Sequence, residues 1–323
     1  PLLIANYGDS VLRRLNADGS ADESFASVAT DFLAHDFTLS PDGAAILLAG
    51  GDDTYGNNYL LKVDSTGQPD ASFGTDGLLS VDVMGELVAV QWLDSGEIFI
   101  VEDTVGNYPN CHFRSVIRLD AAGVPLEFDT TATRALANDI TLHLFYEGSE
   151  LYLVGGQRLT METPAHGDER MSVVGFAPDG TALAGYGVDG LAQINSLGAP
   201  EVMWDMYKAS DGAVLASGSA GTYGVLVRFE GGVHDLSFGG DGFADDYHSQ
   251  FTKVLQDPSG GTLAMSWHGT LIRFGADGAW LQDFTPETLP GQGRDFAIDA
   301  AGRYVVTGGL VGGNGTFMLA RFL

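Results

Sequence analysis

Short apolar runs alternate along the chain with clusters of glycine, aspartate, serine and proline, and one kind of run keeps returning. VLRRL ends at Leu15, YLLKV at Val63, SVIRL at Leu119, SVVGF at Phe176, VLVRF at Phe229, TLIRF at Phe274 and MLARF at Phe322, spacings of 45 to 57 residues. No helix-period pattern of useful length interrupts the series, so the chain reads as a tandem array of strand-built units. In the first full unit the strand signals are DFTLS (36–40), AAILLAG (44–50), YLLKV (59–63) and GLLSVDV (77–83). Pro41-Asp42-Gly43 and Ser65-Thr66-Gly67 separate them, as does the run Ser72-Phe73-Gly74-Thr75-Asp76-Gly77. Asp-Gly pairs suit tight turns, because glycine accepts positive φ and aspartate bonds its own backbone.

Four strands per unit of this length predict an all-β fold, a β-propeller of four-stranded antiparallel blades, with residues 1–323 forming a single domain. Strands two and three occur seven times, strands one and four six times. Pro1 to Asn6 reads as a second strand and the chain stops after a third. Seven blades with an unusual closure is the expectation, and six with merged terminal pieces the alternative. The start inside a blade, without an initiator methionine, suggests processing or a cut boundary. The small residues of AILLAGG and YVVTGG predict close approach of neighbouring sheets.

The unit spelled by Leu12 to Phe25, Leu61 to Gly77 and Val225 to Gly242 resembles the delta-60 repeat of bacterial surface and secreted proteins. Asn16-Ala17-Asp18-Gly19-Ser20 and Ser40-Pro41-Asp42-Gly43 fit the same pattern. The third unit departs from it, with Glu127-Phe128-Asp129-Thr130 in place of the SFGxDG turn and Tyr146-Glu147-Gly148-Ser149 in place of PDG. The resemblance implies a propeller-like scaffold and an extracytoplasmic setting, and it carries no activity.

Chemistry has three candidate places. In propellers of the kind this chain resembles, the first strand of each blade lines the central channel. Asp36, Asp205 and Asp295 each fall six residues before the turn positions of Asp42, Asp211 and Ala301, and Asp139 joins them if the third unit carries a two-residue insertion. Ala89 and Lys253 hold the equivalent place in the other units. Converging carboxylates repel one another, and a cation or raised pKa values relieve this. These four aspartates are therefore the candidate metal ligands, against the plainer reading that they cap strand starts. The second place is a pair of long loops between strands two and three, 102–113 and 157–171. Asn107, Tyr108, His112, Arg158, Met161 and His166 are the candidate partner-binding residues there, since long insertions sharing one face read as a binding surface. Cys111, His112, Met161 and His166 also make up a soft, copper-type ligand set, but at no metal-binding spacing. The third place is the acidic turn Asn16 to Asp22, whose alternating oxygens suit calcium as a possible cofactor; Ser27 stands where an EF-hand needs glutamate.

Enzyme signatures are missing: there is no GxSxG, phosphate loop, HExxH or dinucleotide fingerprint. The seven histidines are scattered, and Trp92, Trp204, Trp267 and Trp280 do not share a repeat position, so no ring of sugar-stacking sites is visible. Forty-five glycines and a single cysteine fit a turn-rich fold with no intrachain disulfide. With 43 acids against 15 bases, a net charge of −28 disfavours nucleic acid or an anionic membrane as partner, and no apolar run is long enough for a membrane helix. The bases recur at one third-strand position (Arg13 or Arg14, Lys62, Arg118, Arg228, Arg273, Arg321), which predicts structural pairing between blades and the acidic turns. The reading that follows is a non-enzymatic, extracytoplasmic recognition or assembly subunit binding a protein or glycan. A lactonase-like metal-dependent hydrolase and a calcium-dependent lectin are the alternatives.

Overall fold

A computed structural model describes residues 2–6, 11–16, 18–52, 57–105, 112–132, 143–147, 149–158, 169–194, 201–246, 249–281, 287–288, 291–299, 302–310 and 317–322. These residues form seven antiparallel sheets in chain order and contain no α-helix. The second sheet shows the plan: Leu33–Leu39, Ala45–Gly51, Asn58–Asp64 and Leu78–Val81 pair in succession. The first sheet has three described strands, Leu2–Asn6, Val11–Leu15 and Val28–Ala29. The seventh also has three, Gly291–Ile298, Tyr304–Leu310 and Phe317–Phe322.

Two compact units divide the chain. One comprises Pro1–Asn138 with Gly148–Leu151 and Ala177–Thr181, the other Asp139–Glu147, Tyr152–Phe176 and Ala182–Leu323. Within each unit the core lies between neighbouring sheets, which explains why the second strands are uninterrupted apolar runs instead of alternating ones. Ile46 and Leu48 pack toward the first sheet with Leu12, Phe25 and Val28. Leu47 and Ala49, on the opposite face of the same strand, pack toward the third sheet with Leu87, Trp92 and Ile100. In the second unit Val214 and Ala216 join one inter-sheet core while Leu215 joins the next, with Phe251, Ile272 and Phe274.

A main-chain contact joins successive sheets at their outer turns. At four of these turns the residue after the turn aromatic donates its N–H to the carbonyl before a turn glycine of the following sheet: Ala26 to Thr66 at 2.7 Å, Asp129 to Asp179 at 2.9 Å, Gly187 to Gly231 at 2.9 Å and Gly239 to Asp277 at 2.8 Å. The glycines that follow those carbonyls have positive φ, and their missing side chains let the backbones meet. A Cβ at Gly67 would lie 2.1 Å from the Ala26 oxygen, and one at Gly232 would lie 2.1 Å from the Gly187 nitrogen.

The third-strand bases are structural, as their regularity predicts, and pair chiefly within their own sheets. Arg14 meets Asp22 at 2.8 Å and Lys62 meets Asp70 at 2.9 Å. Both cations also lie over the ring of the turn phenylalanine, Phe25 or Phe73. Arg228 gathers Asp211, Glu230 and Asp235, and Arg273 pairs with buried Asp257 at 3.0 Å. Arg228→Met is expected to cost about 1–2 kcal/mol in urea unfolding, because half-buried Asp235 loses its cation while keeping its Ser237 donors. An unchanged midpoint would refute a structural role.

Candidate functional site

Each described first strand in the second, third, fifth, sixth and seventh sheets breaks register at one place. The irregularities lie between Ala34 and Asp36, Leu87 and Ala89, Met203 and Asp205, Phe251 and Lys253, and Gly293 and Asp295. The positions aligned from sequence are therefore equivalent in space, each following a bulged residue. A bulge bends the strand and re-aims the next side chain. In Asp36 one oxygen accepts the Phe37 N–H at 2.9 Å while the other accepts the Val90 N–H of the neighbouring first strand at 2.8 Å. Asp205 repeats the second contact on Val254 at 2.8 Å, and Asp295 the first on Phe296 at 2.9 Å. His35, the bulged residue beside Asp36, adds a 2.9 Å contact from Nδ1 to the Leu87 carbonyl oxygen.

Lys253 draws three sheets of the second unit together. Its Nζ lies 3.5 Å from Asp205 Oδ1 and 3.4 Å from Asp295 Oδ1. The two carboxylates differ in setting, the Asp205 side chain being 3% exposed and that of Asp295 61%. Burial pushes Asp205 up to about 6, against the opposing pull of the Lys253 ammonium and the Val254 N–H. The arrangement is an ion-paired clamp with one carboxylate that changes charge in mildly acidic solution.

Of the four aspartates expected as metal ligands, Asp205 and Asp295 lie together in the second unit, both beside the Lys253 ammonium, while Asp36 belongs to the first unit and accepts the Val90 N–H. Asp139 lies outside the described residues. No group of three or more histidine, cysteine or acidic side chains among the described residues is placed to hold a metal. The acidic turn proposed for calcium is tied up by its own donors: Asp18 Oδ1 accepts from the Ser20 N–H and hydroxyl, Asp22 Oδ1 from those of Ser24, and Asp22 Oδ2 from Arg14. Those bonds hold Asp22 below its ordinary pKa.

Of the six candidate partner-binding residues, His112 opens the strand His112–Leu119 opposite Val105, and Arg158 closes the strand Glu150–Arg158. They flank the two long loops from inside the sheets. Asn107, Tyr108, Met161 and His166 lie outside the described residues. Glu102, at the start of the first long loop as read from sequence, is buried in a strand. It accepts from the Met84 and Gly85 N–H groups and from the Thr104 and Ser115 hydroxyls, so it is a structural anchor. Sequence reasoning missed this role. The signal available was a lone glutamate inside the apolar run IFIVEDTV, where an unpaired charge would be costly.

The sequence matches no family model and no curated protein. Solved structures resemble it in three dimensions. The Kuenenia stuttgartiensis hydrazine synthase aligns with a TM-score of 0.54 at 13% identity, covering 84% of this chain and 79% of that one. The WD40 β-propeller domain of Doa1 aligns at 0.52 and 11% identity over 93% and 83% of the two chains. The C-terminal WD40 domain of Sif2 aligns at 0.50 and 13% identity over 94% and 73%. At such identities the likeness speaks to architecture alone, and the architecture is that of a β-propeller.

Proposed function

We propose that this propeller is a non-enzymatic recognition or assembly subunit that works outside the cytoplasm. It binds a protein or glycan partner through the loops joining second to third strands. The observation that carries the reading is where the charged residues are spent. First-strand carboxylates hold sheets to one another, as in Asp36 on Val90 and Asp205 on Val254, and third-strand bases hold the turns of their own sheets, as in Arg14 on Asp22, so the repeat chemistry is used in building a rigid support. Variation falls instead on the connections: residues 221–222 suffice to join Val214–Ala220 to Tyr223–Glu230, whereas 159–168 join Glu150–Arg158 to Glu169–Phe176. Loops of unequal length on a fixed scaffold are the usual place for recognition. The delta-60-like repeat is the support for an extracytoplasmic setting. A metal-dependent hydrolase is the weaker reading, because the Lys253 ammonium already stands between Asp205 and Asp295.

The test replaces 159–168, the connection between the strands Glu150–Arg158 and Glu169–Phe176, by the short Gly221-Thr222 connection and compares binding of the two proteins to surface-protein and glycan arrays from the producing cell. Loss of one specific interaction with an unchanged melting temperature is expected. Full retention of every interaction by the shortened protein would overturn the assignment of that loop.

A further inference from the structure

The second unit carries an apolar stripe at the opposite end of its strands from those loops. Val188 is 76% exposed, Val233 67%, Leu236 69% and Trp280 42%. They belong to the turns of three successive sheets, and main-chain contacts join those turns. Gly187, next to Val188, donates to the carbonyl of Gly231, two residues before Val233. Gly239, three residues after Leu236, donates to the carbonyl of Asp277, three before Trp280.

Internal comparison shows that the repeat does not require these apolar residues. The place of Val233, directly after the turn glycine, is Ser20 in the first sheet and Gln68 in the second, and only the third sheet of the other unit also has a valine there, Val124. The place of Leu236 is Glu23 or Ala71, and that of Val188 is Thr75. The same turns thus form with polar or small residues, while here three adjacent sheets expose large apolar ones. Large apolar side chains exposed on joined turns mark an interaction site more often than isolated ones do. Its surroundings are acidic: Asp189, Asp241 and Asp277 are exposed, and the nearest base, Arg228, is already bound to Asp211, Glu230 and Asp235. At a net charge of −28 a second copy of the chain would be repelled.

We propose that this stripe docks a basic amphipathic segment of a partner protein, whose apolar side chains cover Val188, Val233, Leu236 and Trp280 while its lysines and arginines meet the flanking carboxylates. The site is independent of the loop surface proposed above. Trp280 supplies the kind of large anchor on which interface energy concentrates.

The probe is a synthetic lysine–leucine peptide with its leucines on one helical face, titrated calorimetrically into the full chain, with an oligolysine of equal charge as control. The triple variant Val188→Thr, Val233→Gln, Leu236→Ala installs residues that the second sheet already uses, so its melting temperature should not move. Tight binding of the lysine–leucine peptide, at least tenfold weaker in the triple variant and at least tenfold weaker for oligolysine, is the expected result. Equal affinity of the two peptides, no binding, or indifference to the triple variant would each overturn the proposal. So would concentration-dependent dimerisation that the triple variant abolishes, since the occupant would then be a second copy. Should the triple variant fail to fold, Asp189→Lys with Asp241→Lys, both on exposed turns, must weaken the peptide to the same extent or the proposal falls.

Discussion

Gly232→Ala is expected to cost about 3–5 kcal/mol, while Gly19→Ala, at the same place in the first repeat, is expected to cost about 1 kcal/mol. Both residues have positive φ, +77° and +85°, so both substitutions carry the penalty of an L-residue in left-handed space. They differ in what a Cβ would meet. At Gly19 nothing lies within 4 Å, whereas at Gly232 the new atom would sit 2.1 Å from the Gly187 nitrogen and 2.8 Å from the Tyr186 carbonyl carbon. Neither obstacle is a side chain that can rotate away. Two sheets must part, and the 2.9 Å bond from the Gly187 N–H to the Gly231 carbonyl is lost with them. Gly180→Ala, facing the Asp129 oxygen at 2.1 Å, should behave like Gly232→Ala, and Gly212→Ala, with open space around it, like Gly19→Ala. Urea midpoints for the four proteins decide the matter. Equal losses across the set would mean that backbone conformation alone accounts for the glycines and that close approach contributes nothing.

The second large effect is expected at Lys253, and its size should depend on pH. Lys253→Met leaves Asp205 buried with its main charge partner gone, a loss of about 2–4 kcal/mol at pH 8. At pH 5 the same variant should be close to the parent, because the Asp205 carboxyl is then neutral and no charge is stranded. The parent protein has its own signature from this group. Its native pKa is raised to about 6 from 3.8, so the native state binds a proton more tightly than the unfolded chain. The associated stability is fully present below 3.8 and is lost as pH rises through 6, a span of about 3 kcal/mol. Asp70 works in the other direction. Ser72 and Lys62 hold it near about 2, so its contribution is present above 3.8 and is lost as pH falls toward 2. Asp205→Asn should flatten the stability profile between pH 4 and 6 and leave the acid limb below 3.8 in place. It should also rescue Lys253→Met at pH 8. A Lys253→Met protein equally destabilised at both pH values would rule out the stranded-charge account.

The alignment of Asp36, Ala89, Asp205, Lys253 and Asp295 was legible in the sequence because turns keep fixed offsets within a repeat. What those positions do was not legible. A bulge is a property of register between two strands, and the acceptors' partners are the N–H groups of Val90 and Val254, which every residue but proline possesses. Residue types alone offered strand capping or a shared cation for these carboxylates, and the bond to the next sheet's N–H follows only from register. The third-strand bases were readable for the opposite reason. Arginine and lysine declare their charge, and only the choice of partner, Asp22 or Asp70 within the same sheet, required three dimensions. The glycine excess was read as turn chemistry. That holds at Gly19 and Gly212, but at Gly67, Gly180 and Gly232 the residue is also set by a backbone on the adjacent sheet. The exposed stripe of Val188, Val233 and Leu236 escaped notice because each is unremarkable singly, and only their adjacency across sheets gives them meaning.

The outer turns meet through an N–H and a carbonyl, with side chains taking no part in the bond itself. Such a joint accepts almost any neighbour of the same backbone shape. A gene segment encoding one repeat can be duplicated, deleted or exchanged for another, and where the turn glycine is kept the new boundary can re-form this bond whatever side chains the turn carries. The surface of each repeat can meanwhile diverge, as the contrast between Gln68 and Val233 already records. Lineages that carry this joint inherit a means of changing what they touch without relearning how to fold.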